Sequence, residues 1–316
     1  MKAIVMSDYG NANVLQEREV TRPTPQDHQA IVELQVTTVN SGDQLIRSGA
    51  FQEFLPLRFP HILGVEIGGV VKKIGKSVTK VKPGDRVIGL TLSGGGYADY
   101  AAVDENLLAV IPETLSLEET VALSGVGLTA WQALFRYGQL QVGQRILIHA
   151  GAGAVGHLAV QLAKQHGAYI IATARTENLE FVRQLGADEV VDYGTTDFSE
   201  VIQPVDLVLD MVRDGGITDE KSYSVLKNGG KYLSLVSPAV LQNPIVRGIE
   251  NLFVQVDPHP SDWLSLIRYV QEHKLKIYVE RVFPFSYEGV VEAHQINEIG
   301  GKKGQLLISW NRKNPI

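Results

Sequence analysis

Residues 145–175 read RILIHAGAGAVGHLAVQLAKQHGAYIIATAR, and the reading of this stretch decides the fold. Ile146, Leu147 and Ile148 form a short apolar run of the kind that makes a buried parallel strand. The chain then breaks into Gly151-Ala152-Gly153-Ala154-Val155-Gly156, a G-x-G-x-x-G spacing. Val155, Ala159, Leu162 and Ala163 recur at helical spacing, and Gly167 ends that pattern. A second apolar run follows at once over 169–172. Strand, glycine turn, helix and strand make the first βαβ unit of a dinucleotide-binding sheet. In such a unit Gly151 permits the tight turn out of the strand and Gly153 lets a pyrophosphate approach the backbone. Gly156 lets the helix pack close to the sheet. The N–H groups at the helix start, with the positive end of its dipole, hold the phosphates, so Ala154 and Val155 join the glycines as candidate cofactor contacts.

The second strand of the unit ends in Thr173-Ala174-Arg175-Thr176. A sheet that binds NAD usually places an acid there to accept hydrogen bonds from the ribose 2′-hydroxyl. Arg175 instead offers charge-assisted hydrogen bonds to a 2′-phosphate, which points to NADPH, with Thr173 beside it and Glu177 as the opposing charge.

Composition bounds the rest. The 316 residues suffice for two domains, and a net charge of −6 suggests neither a nucleic-acid nor an acidic-membrane partner. The absence of cysteine excludes disulfides, thiol nucleophiles and cysteine-ligated metals. The opening MKAIVMSDYGN has too short an apolar run for a signal peptide, and no apolar span reaches about 18 residues. A soluble cytoplasmic protein is the expectation.

The first third reads as β-rich, with strands over 2–6, 29–39, 65–74 and 86–90. The turn Lys82-Pro83-Gly84-Asp85 feeds the last of these, and a flexible loop over 93–96 precedes a segment at 97–103. This turn-rich pattern suits a compact barrel-like domain. Ser116-Leu117-Glu118-Glu119 resembles a capping box, and 120–135 reads as one helical stretch. Strands over 189–192, 207–210 and 231–236 then alternate with a helix near 221–227, giving a doubly wound parallel sheet. A helix over 263–273 and a strand over 305–310 complete the chain.

Further stretches carry a family resemblance. Val39-Asn40, Asp43 and Arg47-Ser48-Gly49 are followed by Phe59-Pro60, Leu63-Gly64-Val65-Glu66 and Gly69-Val70-Val71. Then come Gly75, Val81-Lys82-Pro83-Gly84-Asp85-Arg86-Val87, Gly95-Gly96-Tyr97-Ala98, Leu128-Thr129-Ala130-Trp131, Leu185-Gly186-Ala187-Asp188 and Gly229-Gly230. In this order the chain resembles, nearly end to end, the zinc-free quinone oxidoreductases of the medium-chain dehydrogenase/reductase superfamily. The resemblance implies a Rossmann domain, 120–274, inserted into a β-rich GroES-like catalytic domain made of 1–119 and 275–316. It implies an active site in the cleft between them and a homodimer joined through a late strand, for which 252–256 is the candidate. Zinc-dependent relatives carry a cysteine ligand about where Asn40-Ser41 stands, and Gly-His-Glu in place of Gly64-Val65-Glu66. Those ligands are missing here, so no metal is expected.

The resemblance also implies site roles. Asn40 would orient the nicotinamide ribose or the substrate oxygen, although turn propensity alone also explains it. Asp43 would anchor its loop or relay a proton. Thr129, Met211-Val212 and Ser237 would lie along the nicotinamide half of the cofactor, Tyr193 would flank the 2′-phosphate, and Lys303-Gly304 would close over the cofactor. Phe51, Phe54 and Phe253 read equally as an apolar pocket and as core. The implied reaction is hydride transfer from NADPH to a quinone or an α,β-unsaturated carbonyl. An enoyl-thioester reductase and a non-catalytic NADPH-binding protein are the competing readings. Two motifs are set aside: Tyr223-Ser224-Val225-Leu226-Lys227 reads as an exposed helix rather than a short-chain dehydrogenase pair, and Gly75-Lys76-Ser77 as a surface turn rather than a P-loop.

Overall fold

The structure is a computed structural model that describes residues 1–53, 55–214 and 216–310. It divides into two compact units. The first comprises Met1–Gly125, Pro258–Gln271 and Ile277–Ile316, and the second Val126–Asp257 with Glu272–Lys276. The helix Pro260–Gln271, which the sequence places with the dinucleotide-binding part, therefore groups with the first unit. No helix among the described residues is long and apolar enough to cross a membrane.

The first unit is built on Gln29–Thr38, a strand paired with Glu66–Ile74, Tyr100–Asp104 and Gln305–Ser309. Gln305–Ser309 comes from the far end of the chain, so the C-terminal segment does complete the N-terminal sheet. Val279–Pro284 extends the sheet beyond it, and Arg86–Leu90 and Leu108–Val110 extend the other side, seven strands in all. Because Gln29–Thr38 sits inside the sheet, Ile31 is buried along with Val32, Leu34 and Val36, and the alternation expected from sequence is blurred. A smaller sheet joins Leu15–Glu19, Lys2–Met6 and His61–Ile62. The segment expected over 97–103 becomes a strand only from Tyr100; Tyr97 is a buried core residue beside the isolated bridge Ala3–Ala98.

The second unit carries six parallel strands in the order Glu189–Asp192, Tyr169–Ala174, Arg145–Ile148, Val205–Asp210, Leu226–Ser234 and Glu250–Phe253. The first strand in sequence lies inside the sheet, with the second and third on one side and the later three on the other. Such an order reversal opens a binding crevice at the carboxyl ends of the strands. Leu147, Ile171, Val208, Val225 and Tyr232 form the core of this unit.

Two expected helices differ from those observed. The stretch 120–135 is a 3-10 turn Val121–Leu123, an α-helix Val126–Trp131 and a π-helical segment Gln132–Tyr137. The break falls where the Ser124 carbonyl accepts the indole N–H of Trp263 at 3.1 Å instead of continuing a helix. The capping-box bonds between Ser116 and Glu119 do form, but they close a turn. The helix expected near 221–227 is Ile217–Val225, and Lys227 already belongs to the following strand. Tyr223 is half-buried and stacked on Tyr232, so Tyr223 and Lys227 do not share an exposed helix.

Trp263 is fully buried whereas its neighbour Leu264 is 62% exposed. Trp263→Ala is expected to destabilise the protein by about 3–5 kcal/mol in denaturant unfolding, and Leu264→Ala by less than about 0.5 kcal/mol.

Candidate active site

The glycine turn is shaped by a residue that the motif leaves unspecified. Ala150 has φ 51°, the left-handed conformation, and carries the bend out of Arg145–Ile148. Gly151 serves packing instead: a Cβ there would stand 2.9 Å from the Ala172 Cβ on the adjacent strand. A Cβ on Gly156 would lie 2.2 Å from the Ala150 carbonyl oxygen, so the helix Gly156–Gln165 starts in backbone contact with the turn. A Cβ on Gly153 would meet only the Ala150 oxygen, at 3.3 Å, and otherwise project into open space. That opening, with the unpaired N–H groups that begin any α-helix, fits the cradle a pyrophosphate needs.

Behind the turn lies a network the sequence does not reveal. Thr173 Oγ1 accepts the Ala150 N–H at 3.2 Å and lies 3.2 Å from His149 Nδ1. His149 Nε2 lies 2.9 Å from Ser222 Oγ, whose own proton goes to the Thr218 carbonyl. His149 therefore donates from Nε2 and accepts from the Thr173 hydroxyl at Nδ1. The imidazole is neutral, since burial pushes its pKa down to about 3. Thr173 is buried and holds the turn in place; its hydroxyl is spent on that task.

Arg175 and Tyr193 leave the carboxyl ends of neighbouring strands, and Arg175 Nε donates to Tyr193 Oη at 3.0 Å. The two residues expected at a 2′-phosphate are thus brought together, both solvent-facing, with Glu177 close enough to Arg175 to act on its charge. Met211 and Val212 follow Val205–Asp210, with the Val212 N–H bonded to Asp210 Oδ1 at 3.0 Å. Ser237 caps the turn Pro238–Gln242 through its hydroxyl, and Thr129 lies partly exposed on Val126–Trp131. Phe253 is half-buried and packs against the core of this unit.

In the first unit Asn40 precedes the helix Ser41–Ser48. Asp43 is buried, with Oδ2 accepting the Asn40 N–H at 2.9 Å and Oδ1 the Gly64 N–H at 3.2 Å. Of the two roles open to Asp43, this geometry performs the anchoring one. Burial raises its pKa to about 6, against the pull of those N–H groups and of Lys302. Asn40 Nδ2 donates to Thr38 Oγ1 at 2.8 Å, which donates to Glu66 Oε2 at 2.9 Å. Among the described residues nothing donates to the buried Asn40 Oδ1, an acceptor suited to a hydroxyl donor such as a ribose.

Lys302 was not anticipated. Its ammonium donates to Asn297 Oδ1 at 2.6 Å and is felt by Asp43, Glu66 and Glu280; burial still pushes it down to about 8. The expected Lys303 is exposed, its backbone N–H bonded to Glu280, and Gly304 (φ 67°) lies against the Tyr278 carbonyl. Nothing in the sequence separates Lys302 from Lys303. Arg47, also buried, ties the helix Ser41–Ser48 to the Gly10 carbonyl at 3.1 Å, to His294 at 2.9 Å and to Glu298.

Beside Asp43 opens a cavity of about 290 Å³ lined by Ile46, Leu55, Leu57, Leu63, Val65 and Leu92, with Arg58 and His61 as its other polar side chains apart from Ser93. Its apolar wall is leucine-rich. Phe51 is absent from the lining, and Phe54 lies outside the described residues. Among the described residues no three of His, Asp and Glu converge as metal ligands.

The family model "Alcohol dehydrogenase GroES-like domain" matches residues 26–113, and "Zinc-binding dehydrogenase" matches 185–308. The chain is 33% identical to the chloroplastic quinone-oxidoreductase homolog of Spinacia oleracea, covering 90% of this chain and 92% of that protein. It is 32% identical to an NADPH-dependent alkenal/one oxidoreductase of Arabidopsis thaliana, covering 98% and 79% respectively. The quinone oxidoreductase structure from Coxiella burnetii superposes with a TM-score of 0.92 at 31% identity, over 98% of this chain and 99% of that one.

Asp43 has a folded-state pKa above its ordinary 3.8. Burying its neutral form adds stability that is complete below the unfolded value and is lost as pH rises through about 6. Wild-type stability relative to Asp43→Asn should therefore increase by about 1.4 kcal/mol as pH falls from about 7.5 to about 5, read by urea unfolding of both proteins.

Proposed function

The chain belongs to the quinone oxidoreductase group of the medium-chain dehydrogenase/reductase superfamily, and from that membership we propose a zinc-independent, NADPH-dependent reductase of quinones or α,β-unsaturated carbonyls. The observation that carries the cofactor choice is the Arg175–Tyr193 pair at the strand ends beside the glycine turn. A guanidinium already oriented by a phenol is ready to take a 2′-phosphate through two parallel N–H donors.

In this reading Gly153, Ala154, Val155 and Gly156 hold the pyrophosphate, and Gly151 lets the turn pack against the adjacent strand. Thr129, Met211, Val212 and Ser237 line the nicotinamide half, and Lys303 and Gly304 close the site. Bound NADPH supplies the hydride. Asn40 offers its open Oδ1 to the ribose, and Asp43 holds the Asn40 backbone and the Gly64 turn in register. The leucine-rich cavity excludes water from an apolar carbonyl compound. The reduced oxygen takes its proton from water, which suits a site without a dedicated strong acid.

Glu250–Phe253 is the outer strand of the parallel sheet, and we propose it as the edge through which a homodimer forms. Cytoplasmic residence is likewise proposed; the chloroplast named for the relatives is the competing compartment, and fractionation with an antibody to this chain separates the two.

Arg175→Asp should raise the KM for NADPH about 10- to 100-fold and leave that for NADH within about threefold, measured by steady-state kinetics. Equal effects on both cofactors would remove Arg175 from the 2′-phosphate site. A panel of 1,4-benzoquinone, 2-cyclohexen-1-one and an enoyl thioester at fixed NADPH tests the reaction. Turnover of the thioester alone would assign the chain to enoyl-thioester reduction, and turnover of none to a binding role.

A further inference from the structure

His61 opens the short strand His61–Ile62, which pairs with Lys2–Met6 through Met6 and His61. Backbone pairing fixes where the side chain starts, and the ring lines the cavity beside Asp43. Among the described residues neither ring nitrogen has a hydrogen-bond partner, although burial holds the imidazole below its ordinary pKa. The ring is thus neutral near pH 7, with one N–H donor and one acceptor.

Gly94 packs against the ring. Gly94 adopts φ 83° in the turn that bonds its N–H to the Thr91 carbonyl at 2.8 Å and the Gly95 N–H to the Ile62 carbonyl at 2.9 Å. A Cβ on Gly94 would stand 2.3 Å from the Ile62 carbonyl oxygen and 2.8 Å from His61 Nε2. Any other residue would be strained there and would press on the ring edge. The ring thus lines the cavity with no hydrogen-bond partner among the described residues, and an unpaired donor is costly until a ligand satisfies it.

We propose that His61 donates a hydrogen bond to the carbonyl oxygen of the substrate, and so selects neutral quinones and enones over alkenes that lack that oxygen. The inference rests on the reductase reading above. On the same wall Asp43 carries negative charge above about pH 6, Arg58 brings a cation, and the leucines accept the apolar body. As hydride arrives at the electron-poor carbon, the π pair moves to the oxygen, and negative charge grows there. The His61 N–H strengthens its bond to that oxygen, as a neutral imidazole does for a developing oxyanion. Water then supplies the proton, and the imidazole ends the step unchanged.

The test compares His61→Leu, which removes the donor, with His61→Gln, which keeps an N–H. His61→Leu should lower kcat/KM for 2-cyclohexen-1-one about 100-fold, and His61→Gln no more than about fivefold, with NADPH affinity by fluorescence within about twofold of wild type in both. Activity of His61→Leu within twofold of wild type would overturn the contact, as would equal losses in the two variants. A second readout does not depend on turnover. In protein labelled with ¹⁵N-histidine and saturated with NADP⁺, the His61 ring resonance, assigned by its loss in His61→Leu, should shift on titration with 2-cyclohexen-1-one. No shift at any concentration would sink the proposal. A shift in a protein that reduces nothing would uphold the contact and reject the reductase reading.

Discussion

The left-handed backbone at Ala150 is the constraint on which the dinucleotide-binding unit depends. Its carbonyl oxygen occupies the space that a Cβ on Gly156 would need, and its N–H is held by the Thr173 hydroxyl. An alanine in this conformation costs about 1 kcal/mol or more, so it persists only where the surroundings dictate it. Here they do. Thr173 comes from the adjacent strand, and its hydroxyl is oriented by His149, which is oriented in turn by Ser222 on the helix Ile217–Val225. Three elements of the sheet and its covering helices thus converge on one peptide, and the helix Gly156–Gln165 starts against that peptide.

The other unit solves a different problem, that of buried charge. Asp43 and Glu66 are both removed from water, and two carboxylates in a low dielectric need compensation. Backbone N–H groups from Asn40 and Gly64 answer Asp43, the Thr38 hydroxyl answers Glu66, and the Lys302 ammonium acts on both. At the other end of the helix Ser41–Ser48, Arg47 bonds to His294 and Glu298. The short helix bearing the Asn40 region is therefore clamped at both ends, while Asn40 keeps one acceptor open. A rigid frame around an unsatisfied group is the arrangement that ligand recognition requires.

Much of this was legible in sequence. The short apolar runs and the glycine spacing are local signals, and the strands, turn and helix expected from them over 145–174 are observed. The boundaries that slipped have identifiable causes. The helix over 120–135 breaks because the Ser124 carbonyl is taken by Trp263, a residue 139 positions away. The helix near 221–227 stops early because Leu226 begins a strand paired with Val205. In neither case does the local pattern contain the competing partner.

The sequence by itself determined the class of fold, the glycine turn after Arg145–Ile148 and the place of Arg175 at the end of the next strand, because those depend on residues close together in the chain. Only the tertiary structure decided that Ala150 rather than Gly151 carries the bend, and that Thr173 supports the turn. Only it brought Lys302 under the influence of Asp43 and Glu66 while leaving Lys303 exposed, and placed His61 on a cavity wall. Each of those roles is set by a neighbour brought in from a distant segment, and hydrogen bonding and burial act on distance in space, which one-dimensional spacing does not encode.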